Sequence, residues 1–170
     1  MQNKEISSQF NLSIKKIIVS QLNILPCKEC RHCSIDGICV VNDNMQQVYP
    51  EIIDADLIVI ASPIFFTTIS GYLKAFIDRL QRFWALKYEL KKNIFNIKNK
   101  KGIFLSCAGS DRIDIFDCAK KVIRASFDVI YTSYYKDFCF NKIDLKDDIK
   151  KDSSILSTVF NYAKNTNFTK

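Results

Sequence analysis

The chain has 170 residues, 48% of them hydrophobic, with only four glycines and three prolines, and a formal charge of +7. A chain of this size and composition buries a full core as one domain spanning 1–170, and disorder is excluded for most of it. The lysines are scattered, often beside asparagine, without the aromatic-and-basic interleaving of a nucleic-acid reader; they read as solvated surface with a lean toward anions.

Met1 to Ser13 is polar, with Ile6, Phe10 and Ile14 at helical spacing, and is expected to form a short amphipathic helix or to fray. Ile17 to Leu22 is β-branched and apolar, which predicts a buried strand. It leads into PCKECRHCSIDGIC, where Cys27, Cys30, Cys33 and Cys39 follow a C-x2-C-x2-C-x5-C pattern. A thiol at every third residue lets a tight coil aim several sulfurs at one centre, and Gly37 lets the chain swing the fourth one back. An iron–sulfur cluster, a zinc ion and plain thiols or disulfides all compete for such a cage. Zinc usually takes two separate C-x2-C knuckles, whereas these overlap at Cys30; a wider cluster seats each sulfur on a different iron. Disulfides need an oxidising compartment, to which nothing in the sequence points. His32, the single histidine, either tunes this cage or faces solvent.

Asn42 and Asp43 can cap a helix whose apolar face is Met45, Val48, Tyr49, Ile52 and Ile53, with a kink or a break expected at Pro50. Leu57 to Ala61 reads as a strand of the kind buried in parallel sheets. The turn SPIFFTTIS follows, then a helix from Ser70 to about Leu86 with a face of Tyr72, Leu73, Phe76, Ile77, Leu80 and Trp84. Asp78 and Arg79 read as a helix-surface or interface ion pair. Phe65 and Phe66 fit core packing at least as well as a stacking role.

A basic insert, 87–100, carries five lysines against one glutamate, with Ile94, Phe95 and Ile97 interleaved, and fits a covering loop or a partner-facing arm. Gly102 to Cys107 is the third predicted strand, followed by the turn Ala108-Gly109-Ser110-Asp111. A helix capped near Asp111 or Asp114 points Phe116, Ala119, Val122, Ile123 and Phe127 inward. Val129 to Phe140 is the fourth predicted strand, and a last helix from Asp152 or Ser153 buries Ile155, Leu156, Val159, Phe160 and Ala163. Cys107 is a buried strand cysteine or a redox thiol, and Cys118 and Cys139 read as core.

Alternating strands and helices predict a three-layer, doubly wound parallel α/β sheet. Ligands bind at the carboxyl ends of such strands, so the cage and the two turns are expected to converge on one rim. The apolar run near Leu57 to Phe66 is too short to span a bilayer, and the N-terminus lacks the apolar core of a signal peptide. A cytoplasmic protein that binds neither membrane nor nucleic acid is the expectation.

From Cys39 to Arg79, CVVNDNMQQVYPEIIDADLIVIASPIFFTTISGYLKAFIDR resembles the flavodoxin-like NAD(P)H-dependent FMN reductase superfamily. The four cysteines narrow the resemblance to the iron–sulfur flavoproteins. It implies an electron-transfer oxidoreductase with FMN at the sheet rim and a [4Fe-4S] cluster on Cys27, Cys30, Cys33 and Cys39, zinc being the second candidate. Ser62, Pro63, Ile64, Phe65, Phe66 and Thr67 would run beside the flavin ring, and Ala108, Gly109 and Ser110 would close another side. NAD(P)H or redox proteins would be the partners, and Ser70 would support the first turn.

No G-S-x-R-type phosphate loop precedes Ile17, and SSQFNLS does not replace it. The expectation is therefore a flavodoxin-like sheet with its first strand missing or replaced, completed by rearrangement or homo-oligomerisation. The FMN phosphate would then fall to lysines such as those of 87–100. The alternative is a non-enzymatic metal- or cluster-binding remnant that has lost FMN and serves in assembly or sensing.

Overall fold

The computed structural model describes residues 13–95 and 99–166. Three parallel strands form the sheet among the described residues: β1 (Leu57–Pro63), β2 (Lys100–Cys107) and β3 (Thr132–Phe140), in the order β1-β2-β3. The helices are α1 (Cys33–Asp36), α2 (Met45–Asp54), α3 (Gly71–Asp78), α4 (Gln81–Trp84), α5 (Asp117–Val129), α6 (Asp148–Lys151) and α7 (Ser153–Asn165). A single π-helical turn, Ala85–Glu89, continues α4.

One face of the sheet carries the main core. Met45, Val48, Tyr49 and Ile52 of α2, Leu73 of α3, Phe83 of α4 and Ala119, Ile123 and Phe127 of α5 gather there with Phe104 of β2. The other face receives α7, where the rings of Phe138 and Tyr162 meet edge-on at 5.1 Å. These layers and the parallel order are those of a flavodoxin-like sheet.

The expected strand at Ile17 to Leu22 is not one. Val19–Gln21 is a short 3-10 turn in an otherwise extended segment, and Ile17, Leu22 and Ile24 pack against the core without a strand beside them. Ile17, Val19 and Leu22 are half-buried, while Ile18 is 42% exposed. The expected N-terminal helix lies outside the described residues apart from Ser13 and Ile14, and Ile14 is exposed. Pro50 sits inside one continuous helix, α2, on its exposed side. The long helix expected from Ser70 begins at the expected cap, Ser70 accepting from the Leu73 amide at 3.3 Å, but is interrupted at Arg79 and Leu80. Tyr72 is exposed rather than buried, and Phe83 takes the fully buried place. In α7, Leu156 and Phe160 are half-exposed, against expectation. The cap expected for α5 at Asp111 or Asp114 is absent as such: Asp114 pairs with Arg112, and the helix starts after Phe116 with no side-chain cap.

Among its described residues the basic segment is anchored at Lys87, Phe95 and Lys100. Lys87 bonds Asp128, and Phe95 is buried between Phe83 and Tyr131. Ile97 and its neighbours 96 and 98 lie outside the described residues. Lys100 is fully buried at the start of β2, donating to the Ile52 and Ile53 carbonyls at the C-terminal end of α2 above the ring of Phe95. Cations suit that helix end.

Burial nevertheless pushes the Lys100 ammonium down to about 8 from its ordinary 10.5, against the upward pull of Asp56 and Asp54. Between those values the unfolded chain binds the extra proton, so stability is lowest below about pH 8 and rises toward 10.5. Relative to Lys100→Met, the native chain is expected to gain on the order of 2 kcal/mol across that window in urea unfolding. Parallel pH profiles would sink this. Gly102 of β2 leaves no room for a side chain, since a Cβ there would stand 2.5 Å from the Phe127 ring. Gly102→Ala should cost roughly 1–3 kcal/mol by overpacking, and an unchanged melting temperature would contradict the close approach.

Candidate cofactor site

The coil from Cys27 to Cys39 is built from tight reversals. Glu29 and Arg31, on either side of Cys30, are left-handed, a conformation that costs non-glycine residues and clusters at functional sites. Cys33 opens α1, and Gly37 closes it with φ 81°, its amide donating to the Cys33 carbonyl at 2.9 Å. All four cysteines line one cavity of about 350 Å³, together with Lys28, Asp78, Arg79, Arg82, Trp84 and Glu89. Burial pushes the Cys33 thiol up, and the neighbouring Cys39, Cys27 and Cys30 push it further. Four thiols on one cavity are a donor set suited to a cationic centre.

The sulfurs line the cavity without closing on a point. Among the described residues no three His, Cys, Asp or Glu side chains come together in an arrangement that would hold a metal ion. In chemistry, four thiols on one cavity match the donor set of an iron–sulfur group. Such a group, held by Cys27, Cys30, Cys33 and Cys39, would supply one-electron chemistry. His32 is not in the cavity wall; it lies 3.8 Å from Asp36 on the solvent side of α1.

Arg79 is the residue that the sequence reading misjudged. Its side chain is 1% exposed, paired at 2.5 Å with Asp43, whose side chain is 0% exposed. The Nη1 group also donates to the Leu25 carbonyl at 2.9 Å, and Nη2 donates to the Cys39 sulfur at 3.4 Å and the Val41 carbonyl at 3.3 Å. One guanidinium thus ties the residues before and after the cage. Asp43 in turn accepts from the amides of Leu25 and Met45, each at 2.9 Å, so the same carboxylate caps α2. Burial pushes the Asp43 carboxyl up, but the Arg79 hydrogen bond and the two amides outweigh it and hold it below its ordinary range. Asp78, the expected partner, pairs with Lys74 instead. Position 79 falls three residues after Phe76 and four before Phe83, on the buried stripe of the helical pattern. That periodicity was the available signal.

The two turns do share a rim. Ser62 and Pro63 pair with Ser106 and Cys107 at the ends of β1 and β2, and the Ile64 amide donates to the Cys107 carbonyl at 3.1 Å. Phe65 and Thr68 exchange backbone bonds of 2.8 and 3.0 Å around left-handed Phe66 and Thr67. Ser62 is buried, its hydroxyl accepting from the Ser70 amide at 3.0 Å and donating to the Pro63 carbonyl at 2.8 Å; it fixes the turn to the start of α3. Phe65 and Phe66 are exposed, Phe66 completely, which excludes core packing for both. In the second turn Ala108 is buried and bonded to Phe140 and Ile143, Gly109 is exposed, and the Ser110 carbonyl accepts from Asn141. The amides of Phe66, Thr67 and Gly109 have no partner among the described residues, and so remain open to a polar ligand edge.

The cage does not join this rim. Helix α3 starts at Ser70, bonded to the rim through Ser62, and ends at Asp78 and Arg79 in the wall of the cysteine cavity. The eight residues of α3 span about 12 Å along their axis. The expected convergence of all three stretches reduces to two turns at one end of α3 and the cage at the other. Burial pushes the thiols of Cys107 and Cys139 up, Cys139 to about 11, as suits core cysteines. Cys118 is exposed, contrary to expectation.

A parallel α/β sheet with paired loops at its strand ends defines a flavodoxin-like protein, here with a thiol-lined cavity beside it. The chain belongs to the NADPH-dependent FMN reductase family, which it matches over residues 4–115. It is 30% identical over 106 residues to an iron-sulfur flavoprotein of Methanosarcina thermophila, covering 62% of this chain and 52% of the relative. It is 31% identical over 90 residues to an iron-sulfur flavoprotein of Archaeoglobus fulgidus, covering 53% and 43%. The chain thus spans about half the length of these curated relatives. Among solved structures, an azoreductase from Bacillus anthracis superposes with a TM-score of 0.57 at 12% identity, covering 93% of this chain and 83% of that one. The Trp repressor binding protein of Bacillus subtilis gives 0.55 at 19% identity, covering 73% and 78%. Among the described residues no helix is long and apolar enough to cross a membrane.

Proposed function

We propose that this chain is a single flavodoxin-like domain, 1–170, acting as an electron-transfer oxidoreductase of the iron–sulfur flavoprotein type. A [4Fe-4S] cluster would sit on Cys27, Cys30, Cys33 and Cys39, and the ring of FMN on Ser62 to Thr67 and Ala108 to Ser110. The observation that carries the reading is the single cavity lined by all four cysteines. Bound at the rim, FMN would turn the two-electron hydride of NAD(P)H into single electrons of the kind a cluster takes. The chain's own contribution is positional: the Phe66, Thr67 and Gly109 amides meet the polar edge of the ring, while Ser62 and Ser70 hold the turn rigid.

The outer edge of β1 is unpaired among the described residues, and Val59 on it is 49% exposed. A homo-oligomer fits that edge, with light scattering as the check. The separation of cage and rim also supports a second reading, a cluster-binding protein that works without flavin. Purification without air, followed by a visible spectrum and assays of flavin, iron and sulfide, separates the readings. Flavin bands with broad cluster absorption, reduced by NAD(P)H or a redox protein, support the oxidoreductase. Cluster without flavin supports the second reading, and a colourless protein refutes both.

A further inference from the structure

We propose that Arg79 is a positioning residue for the metal centre, holding the cysteine coil closed at both ends and raising the reduction potential of a cluster bound there through its hydrogen bond to Cys39. The inference rests on the reading of the cage as a cluster site. Three observations carry it. The guanidinium bridges the carbonyls of Leu25 and Val41, so it fixes the span from which the coil hangs. Its Nη2 reaches the Cys39 sulfur itself at 3.4 Å, and the residue forms part of the cavity wall. Its Nε, buried, has no partner, leaving one further donor for sulfur.

A donor on a ligating sulfur withdraws electron density and favours the more negative, reduced state; hydrogen bonds to cluster sulfurs are one of the levers a protein has on potential. Asp43 neutralises the guanidinium and locks its plane, so the effect comes from directed hydrogen bonds more than from a free positive charge. Lysine carries the charge but not the planar fork.

The test begins with iron and sulfide assays on protein purified without air. An iron-free wild type overturns the cluster reading, and this inference with it. If the wild type holds a cluster, redox titration of Arg79→Met is expected to shift the reduced-to-oxidised equilibrium about tenfold toward the oxidised form, about 59 mV for one electron. Arg79→Lys should recover only part of that shift. Equal potentials in all three proteins would overturn the inference while leaving the cluster reading intact. Should the variants not fold, wild-type protein grown with guanidinium-15N arginine gives an independent readout. Electron spin-echo modulation of its reduced cluster should show a coupled nitrogen that persists in both Arg31→Lys and Arg82→Lys, the other two arginines of the cavity wall, and its absence would overturn the assignment.

Discussion

Asp43→Ala is expected to destabilise the protein by about 3–5 kcal/mol, the range for removing one partner of a buried ion pair. The wild-type carboxylate and the Arg79 guanidinium are almost completely shielded from water, and the carboxylate also serves the Leu25 and Met45 amides. Alanine strands the guanidinium in that setting and uncaps α2 in the same stroke. For a domain whose total stability is on the order of 5–15 kcal/mol, such a loss is large. Asp43→Asn keeps shape and one acceptor oxygen, and should fall between the two. Urea unfolding of the three proteins checks the order. Equal midpoints for wild type and alanine would mean that the ion pair is not formed.

Cys33→Ser carries the second large effect, on composition instead of stability. Of the four cage cysteines this one begins α1, at the turn that Gly37 closes onto its carbonyl, and it lines the shared cavity. Serine is nearly isosteric but a poor ligand for iron, so iron and acid-labile sulfide should fall to near background. Flavin content should stay within error of the wild type, because none of the rim residues lines the cysteine cavity. A variant that retains its iron would remove Cys33 from the ligand set. One that loses iron and flavin together would show that the two sites depend on each other.

Much of this was legible in the residues. The runs LIVIA and GIFLSC announced their parallel strands because both faces of a covered strand must be apolar, and Ser70 capped α3 where its side chain could reach an amide. The compact cysteine spacing pointed to one centre; the four cysteines line one cavity without closing on a point. What escaped was set by partners distant in sequence. Ile17 to Leu22 has strand composition, but a strand exists only beside another, and local pattern is silent on neighbours. Arg79 looked like a surface charge because its partner lies 36 residues earlier, beyond the cage. The position of the cage relative to the rim was hidden for the same reason: it depends on which end of α3 the coil meets, and that is decided by the guanidinium.

The exposed tips of the rim have a practical corollary. Phe65 and Phe66 stand 58% and 101% accessible on a reverse turn, and Ile113, just past the second turn, is 100% accessible. Hydrocarbon bared on protruding loops adheres to other hydrocarbon, so preparations stripped of their ligand will tend to self-associate as they are concentrated. Colloidal behaviour is in this sense a reporter of whether that end of the sheet is filled.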